Sequence, residues 1–305
     1  VSMFKPITKY ATQVLEPETI PEVVRKAFKL AQAEKPGATF IDLPENIPEM
    51  YTDELPLPVS SNRLTYADRN LLKQAAELVK TAQNPLILVG NGAVRSRAGK
   101  YVEQFVKAHK IPVVNTFMAK GIIPFYSDMA MGTAGLQKGD YENAGFEKAD
   151  LIICVGFDMV EYHPHLWNPN RQHKIIHIDT KKAEVDNRYI PEIELIGNIG
   201  PNLAALGEAL SDILENPITS TDIEFHLRDA MIKEMNRCRK SDAWPMLPQK
   251  IIWVLRTAMK SDDIAISDVG AHKMWMARMF RCDETNTCII SNGFAGMSIA
   301  VPGGI

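Results

Sequence analysis

Five short apolar runs constrain the fold of this chain more than any other feature of its sequence. They are nearly continuous, rich in β-branched residues, and occupy residues 86–89, 111–114, 151–155, 174–178 and 194–196. Continuous apolar runs of this length are typical of strands that are buried on both faces of a parallel sheet. Helical patterns lie among them, for example at 101–109 and 203–214. The sequence therefore predicts an α/β fold, with a doubly wound parallel sheet over residues 66–215.

The segment before this domain is predicted to be part of another one. Residues 1–50 contain one helical pattern, which starts near Pro21, and one apolar strand at 38–44. A single helix and strand cannot bury two faces, so residues 1–50 are predicted to be the C-terminal end of a domain. Residues 45–65 carry several prolines and acidic residues, a composition typical of an extended linker, and the linker is predicted at residues 51–65.

The segment after the central domain is predicted to start a third α/β unit. Residues 216–245 are polar and are predicted to be a second linker, with 219–222 as a candidate helix cap. Residues 246–305 contain two helix and strand patterns and the beginning of an apolar helix at 297–305. Because parallel strands need cover on both faces, this unit is predicted to be the N-terminal part of a larger domain.

Composition and charge exclude several classes of protein. Hydrophobic residues make up 46% of the 305 residues and charged residues 23%, which is typical of a globular protein. The net charge is −3 and no basic block occurs, so nucleic acid is not a predicted partner. No apolar run reaches the roughly 18–20 residues of a membrane span. The four cysteines include no Cys-x-x-Cys pair, so we predict reduced packing residues and a cytoplasmic location.

The nucleotide-binding signal in the central domain is weak. Gly90-Asn91-Gly92 follows an apolar run and supplies two of the fingerprint glycines. Arg95 lies where close helix packing requires Gly or Ala. A plain strand-to-helix turn is the preferred interpretation.

Two loops of the third unit carry the more informative patterns. Asp268-Val269-Gly270-Ala271-His272 leads from a predicted strand into a helix, where free N–H groups and a histidine favour an anionic phosphate. Residues 291–297 follow the next strand, and two glycines there allow a ligand to approach the backbone. Ligands bind at the carboxyl ends of parallel strands in such folds, so both loops are predicted to lie at a ligand-binding edge.

These loops resemble those of a known enzyme family. Residues 267–275 read Ser-Asp-Val-Gly-Ala-His-Lys-Met-Trp, and residues 290–302 read Ile-Ser-Asn-Gly-Phe-Ala-Gly-Met-Ser-Ile-Ala-Val-Pro. Both are similar to the thiamine-diphosphate-dependent acetolactate synthases, and the likeness covers the whole chain. It implies the end of a pyrimidine-binding domain, a central α/β domain and the start of a diphosphate-binding domain. Residues 155–168 are especially similar to the catabolic branch, which lacks FAD. Gly156 replaces an arginine that helps to hold FAD in the biosynthetic branch, so the resemblance implies no FAD.

The resemblance implies cofactor-binding roles for six residues of the two loops: Gly270, Ala271, His272, Gly293, Ala295 and Met297. The first three match the loop that meets the diphosphate. The carbonyl of Ala295 matches the one that accepts the 4′-amino group of the cofactor, and Met297 matches the apolar residue that keeps the cofactor bent. Ser298 stands where the family usually has glycine.

The implied reaction condenses two pyruvates to 2-acetolactate and carbon dioxide, in a homodimer or homotetramer. The activating glutamate of the family is expected before Val1. The Gly-Asp-Gly magnesium motif is expected after Ile305, and Gly139-Asp140-Tyr141 is the nearest string within the chain. No catalytic residue or metal ligand is therefore assigned within residues 1–305, and this piece alone is predicted to be inactive.

Two alternatives remain open at this point. One is a related thiamine-diphosphate enzyme, such as a pyruvate oxidase or a 2-oxoacid decarboxylase. The other is a module for nucleotide binding or assembly without catalysis. The histidines at 163, 165, 173 and 177 are predicted to be structural or solvated. Asp158 and Glu161 are predicted to interact with a helix dipole.

Overall fold

The computed structural model describes residues 1–59, 65–135, 141–184, 186–218, 222–293 and 295–305, with the backbone alone at 141–144 and 222–227. The chain divides into two compact units, Val1–Arg63 and Leu64–Ile305. Among the described residues, none of the helices combines the length and hydropathy that a membrane crossing requires.

The first unit is a small strand-helix-strand arrangement. Strand β1 (Tyr10–Gln13) pairs in parallel with β2 (Thr39–Asp42), and helix α1 (Ile20–Gln32) connects them. Parallel neighbours need a crossover of this kind, and Pro21 suits the first turn of the helix because its missing N–H has no helical partner there. Two short 3₁₀ turns, Lys5–Ile7 and Pro17–Thr19, complete the unit. The sequence had not predicted β1, a half-buried strand with only four residues.

The second unit is built on a parallel sheet of six strands in the order β5-β4-β3-β6-β7-β8. The chain starts in the middle of the sheet and winds first to one side and then to the other, which confirms the predicted doubly wound α/β fold. The strands are β3 (Pro85–Val89), β4 (Val113–Asn115), β5 (Ala130–Thr133), β6 (Leu151–Val155), β7 (Lys174–Asp179) and β8 (Ile193–Ile196).

Both faces of this sheet are covered, as continuous apolar strands require. One face packs a large aliphatic core against α2, α4 and α7, and the other packs an aromatic cluster that includes Phe146, Trp167 and Tyr189. The helices of this part are α2 (Arg69–Thr81), α3 (Asn91–Arg95), α4 (Gly99–His109), α5 (Tyr141–Lys148), α6 (Pro164–Trp167) and α7 (Ile199–Ser211), and a 3₁₀ turn spans Phe117–Ala119.

The rest of the second unit contains a two-stranded parallel sheet. Its elements are α8 (Asp222–Arg239), α9 (Pro248–Ala258), β9 (Ala265–Ser267), α10 (Ala271–Met279), β10 (Cys288–Ile290) and α11 (Ala300–Gly303). Strand β9 pairs with β10, and a sulfur-rich apolar cluster that includes Met235, Met276 and Phe280 forms the core.

The sixth strand, β5, was not predicted from the sequence. It lies at the edge of the sheet, alternates between half-buried and buried residues, and contains Gly132 with φ +117°. An edge strand with a glycine lacks the continuous apolar run that identified the others. Residues 219–221 of the predicted helix cap lie outside the described residues. The predicted domain limits inside the second unit stay predictions.

Candidate functional site

The two loops singled out in the sequence follow two neighbouring parallel strands. The first follows β9 and enters α10, and the second follows β10. Just beyond the strands, the N–H of Ser291 lies 3.4 Å from the carbonyl oxygen of Ser267. Because both strands run in the same direction, the two loops leave from the same edge of the sheet. We refer to it below as the open edge, made of residues 268–272, 291–293 and 295–298.

The first loop presents unsatisfied backbone donors. Gly270 precedes α10 and no side chain caps the helix. The N–H groups of Ala271 and His272 form no hydrogen bond with any described residue. All three residues are exposed, and the His272 imidazole folds back so closely that a Cβ on Gly270 would lie 2.9 Å from its Cε1. Free N–H groups at a helix start and an adjacent imidazole together favour an anion.

The second loop leaves its backbone accessible. A Cβ added to Gly293 would meet no atom within 4 Å, and the same holds for Gly296. Ala295 and Ser298 adopt φ values of +48° and +65°, and the Met297 side chain is 77% exposed. Phe294, between these residues, lies outside the described part. The loop thus exposes backbone and one large apolar side chain at the same edge.

The central sheet has a comparable edge where β3 and β6 end, but there the backbones are in contact. Gly156 adopts φ +59°, and a Cβ on it would lie 2.1 Å from the backbone nitrogen of Ala93. A Cβ on Gly90 or Gly92 would lie 2.5 or 2.8 Å from the Gly156 carbonyl oxygen. We refer to this place as the closed edge, made of residues 90–93, 156–157 and 161. Its glycines are needed for backbone packing.

Glu161 fills the remaining space at the closed edge. Its carboxylate accepts the Asn91 N–H at 3.0 and 3.1 Å, at the start of α3, and the Thr116 hydroxyl at 2.5 Å. Burial raises the pKa of Glu161, while the hydrogen bonds from Thr116 and Asn91 oppose that rise. The prediction of a helix-dipole role did not identify these partners, which are 70 and 45 residues away in sequence.

Of the four histidines singled out in the sequence, His163 and His165 are exposed, whereas His173 and His177 are buried and hydrogen bonded within the fold. His173 bonds the carbonyl oxygens of Ala149 and Trp167 at 2.8 and 3.1 Å, and His177 bonds the Tyr189 hydroxyl at 2.8 Å. In the described part of the chain, no three His, Cys, Asp or Glu side chains form a group that could hold a metal ion.

The central domain also matches a known family model. Residues 72–206, from the fourth residue of α2 to the eighth residue of α7, match the model "Thiamine pyrophosphate enzyme, central domain". Thiamine pyrophosphate is the same compound as thiamine diphosphate.

Curated relatives extend the similarity to the whole chain. An acetolactate synthase of Bacillus subtilis is 31% identical over 99% of this chain and 53% of the relative. The catabolic acetolactate synthase of Raoultella terrigena is 28% identical over 99% of the chain and 54% of the relative. A probable acetolactate synthase large subunit of Methanocaldococcus jannaschii is 29% identical over 100% and 54%. The chain is thus homologous over its whole length to acetolactate synthases, and it spans about half the length of these relatives. The resemblance seen in the sequence is confirmed.

The chemistry of the open edge fits one end of thiamine diphosphate. The free N–H groups of Ala271 and His272 and the His272 imidazole suit a diphosphate, and the open space at Gly293 and Gly296 leaves room beside it. The structure brings the six predicted residues to this edge, and their binding roles stay predictions.

Proposed function

We propose that this chain belongs to an enzyme that uses thiamine diphosphate to join two pyruvates into 2-acetolactate, with loss of carbon dioxide. Homology to acetolactate synthases over the whole chain supports the reaction. The open edge carries the assignment of the site, because it combines unsatisfied N–H donors with accessible backbone on two adjacent strands. Transfer of a two-carbon unit between pyruvates makes the enzyme a transferase.

In this proposal, Gly270, Ala271 and His272 bind the diphosphate. The two N–H groups donate to its oxygens, and the imidazole adds a charge-assisted hydrogen bond. When bound, thiamine diphosphate supplies the carbon nucleophile that attacks the keto group of pyruvate. The Ala295 carbonyl orients the amino group of the cofactor, and Met297 holds the two rings in a bent arrangement.

FAD has no place in the proposed enzyme. The closed edge supports this view, since the backbone at Gly156 has no room for an arginine side chain and the Glu161 carboxylate takes the N–H at the start of α3. A negatively charged flavin dinucleotide at this place would meet that carboxylate. Magnesium remains part of the proposal because a diphosphate needs a cation with oxygen ligands.

We further propose a homodimer or homotetramer in the cytoplasm. Several large apolar side chains support an assembly, because their exposed fractions are high: Phe28 62%, Leu55 78%, Val59 86% and Val301 76%. Exposed apolar patches often mark contact surfaces.

The test is acetolactate formation from pyruvate by the full-length protein that contains residues 1–305. With thiamine diphosphate and Mg²⁺ we expect stoichiometric acetolactate and carbon dioxide, without added FAD.

His272→Ala should raise the cofactor concentration at half-maximal activity about tenfold and spare kcat, because it removes one charged hydrogen bond. Met297→Ala should lower kcat about tenfold at saturating cofactor, because orientation is lost. His165→Ala and Met246→Ala are the matched controls, since both side chains are exposed outside the open edge.

Other products would contradict the proposal. Acetaldehyde alone would indicate a decarboxylase, and oxygen consumption with acetyl phosphate or acetate would indicate an oxidase. If Met297→Ala keeps the parental kcat, the assigned role of Met297 is wrong. Residues 1–305 alone should form no acetolactate.

A further inference from the structure

Two of the four buried cysteines form a pair close to the open edge. Cys282 follows α10 and Cys288 begins β10; they are 2% and 5% exposed and lie in the same apolar cluster. The Cys282 thiol donates to the Phe280 carbonyl oxygen at 3.8 Å, and the Cys288 thiol lies near enough for the two thiols to shift each other's pKa. The pair therefore joins the end of one element that carries the open edge to the beginning of the other.

Two buried cations lie beside this pair without a carboxylate. Lys120 is 6% exposed, and its ammonium donates to the Ala277 carbonyl at 2.8 Å. Arg256 is 8% exposed and donates to main-chain carbonyls, including that of Arg281 at 2.8 Å. Neither forms an ion pair with an acidic side chain among the described residues. Since buried charges are normally paired, a thiolate at Cys282 would supply a buried negative charge beside them.

A small cavity connects Lys120 with Cys282. It has a volume of about 20 Å³ and is also lined by Asn115 and Thr133. This is enough for a molecule the size of water and too little for a bulky reagent. The thiol therefore faces a space that a small polar molecule can enter.

The electrostatics agree with this geometry. The neighbouring Cys288 thiol, together with Lys120 and Arg256, lowers the pKa of Cys282 to about 6 against the opposing effect of burial. Cys282 and burial raise the pKa of Cys288. In contrast, burial raises the pKa of Cys154 to about 12. Thiolates, and not thiols, react as nucleophiles.

We propose that Cys282 and Cys288 are a redox-active pair, in which Cys282 reacts with small hydroperoxides and Cys288 then closes a disulfide. The oxidant is a neutral two-electron oxidant such as hydrogen peroxide, which the small cavity favours over larger disulfides. The proposal is independent of the enzymatic reaction proposed above.

The reaction balances in two steps. The Cys282 thiolate attacks one peroxide oxygen, the O–O bond breaks, and the products are a sulfenic acid on Cys282 and hydroxide. The Cys288 sulfur then attacks the Cys282 sulfur, an S–S bond forms, and the Cys288 proton leaves with the hydroxyl as water. The two sulfurs together lose two electrons, and these electrons reduce the peroxide to hydroxide and water.

The experiment treats the folded chain with a few equivalents of hydrogen peroxide at pH 7 and blocks the remaining thiols in denaturant. Trypsin then releases one peptide that begins at Cys282 and contains Cys288, because no Lys or Arg lies between Arg281 and Ile305. We expect this peptide to lose two hydrogen atoms, while Cys154 and Cys238 stay reduced and are blocked. A thiolate at pH 7 should make this oxidation roughly tenfold faster than that of an ordinary thiol.

Variants distinguish a redox role for Cys282 and Cys288 from a role in packing alone. In Cys288→Ser, Cys282 should stop at a sulfenic acid that dimedone traps, whereas Cys282→Ser should leave Cys288 reduced. In Lys120→Met, which keeps the length of the side chain, the rate should fall severalfold and its pH midpoint should rise from about 6. Oxidation of all four cysteines at one rate, or a lasting sulfenic acid without a disulfide in the parent chain, would overturn the proposal.

Discussion

The open edge and the closed edge have similar sequence patterns, but the closed edge is filled by other parts of the chain and the open edge is left accessible. Both lie where parallel strands end, both contain glycines, and both enter a helix. At the closed edge, the glycines bring backbones together, and Glu161 takes the N–H at the start of α3. At the open edge, Gly293 and Gly296 have no neighbours within 4 Å of an added Cβ, and the N–H groups that start α10 stay unsatisfied.

The difference shows that a glycine-containing strand-to-helix turn does not by itself define a ligand site. The turn becomes a candidate site only where the rest of the chain leaves its donors free. A carboxylate from elsewhere in the chain can satisfy those donors, as Glu161 does at Asn91.

The largest effect should come from filling the backbone contact at the closed edge. Gly156 has φ +59°, and Gly156→Ala places a Cβ 2.1 Å from the Ala93 backbone nitrogen. Backbone atoms cannot move away from this contact without disturbing the strand and helix they belong to. We expect a loss of about 4 kcal/mol in the free energy of unfolding, measured by urea titration. Gly296→Ala at the open edge is the matched control and should change it by less than about 1 kcal/mol. Equal losses of the free energy of unfolding in the two variants would contradict the proposed difference between the two edges.

A smaller effect should follow removal of the carboxylate at the closed edge. Glu161→Ala leaves the Asn91 N–H and the Thr116 hydroxyl without their acceptor, and should cost about 2 kcal/mol at pH 7. Glu161→Gln keeps a hydrogen-bond acceptor and should lower the free energy of unfolding by less than Glu161→Ala does.

The pH dependence gives a second measurement at Glu161. Burial raises its pKa in the folded state, so the folded chain holds the proton more tightly than the unfolded chain does. Its contribution to stability is therefore greatest below the ordinary pKa of about 4.3 and is lost as the pH rises through the folded value. The stability of the parent chain relative to Glu161→Gln should fall over that range. Exposed Glu77→Gln serves as the control for loss of a surface carboxylate. A constant difference from pH 4 to 7 would contradict a buried, proton-binding Glu161.

The sequence predicted the sheet and the open edge better than the closed edge, for physical reasons. Continuous apolar runs identify buried strands because both faces must be apolar, and local glycine and histidine patterns identify loops such as 268–272. Edge strand β5 lacks such a run. The contacts of Glu161 with Asn91 and Thr116 depend on the order of strands in the sheet, which no local pattern encodes. Likewise, the buried charge beside Cys282 comes from Lys120 and Arg256, which are distant in sequence.

The smallest effect concerns Ser298 at the open edge. Its φ of +65° lies in the region that favours glycine, and a side chain there costs about 1 kcal/mol. Ser298→Gly should therefore raise the free energy of unfolding by about 0.5 kcal/mol, because relief of strain exceeds the entropy that glycine adds to the unfolded chain. Ser298→Ala keeps the Cβ and should bring no gain. Ser96→Gly at φ −80° should be neutral or destabilising, since no strain is relieved there. A gain at Ser96 equal to that at Ser298 would show that backbone strain at the open edge is not the cause.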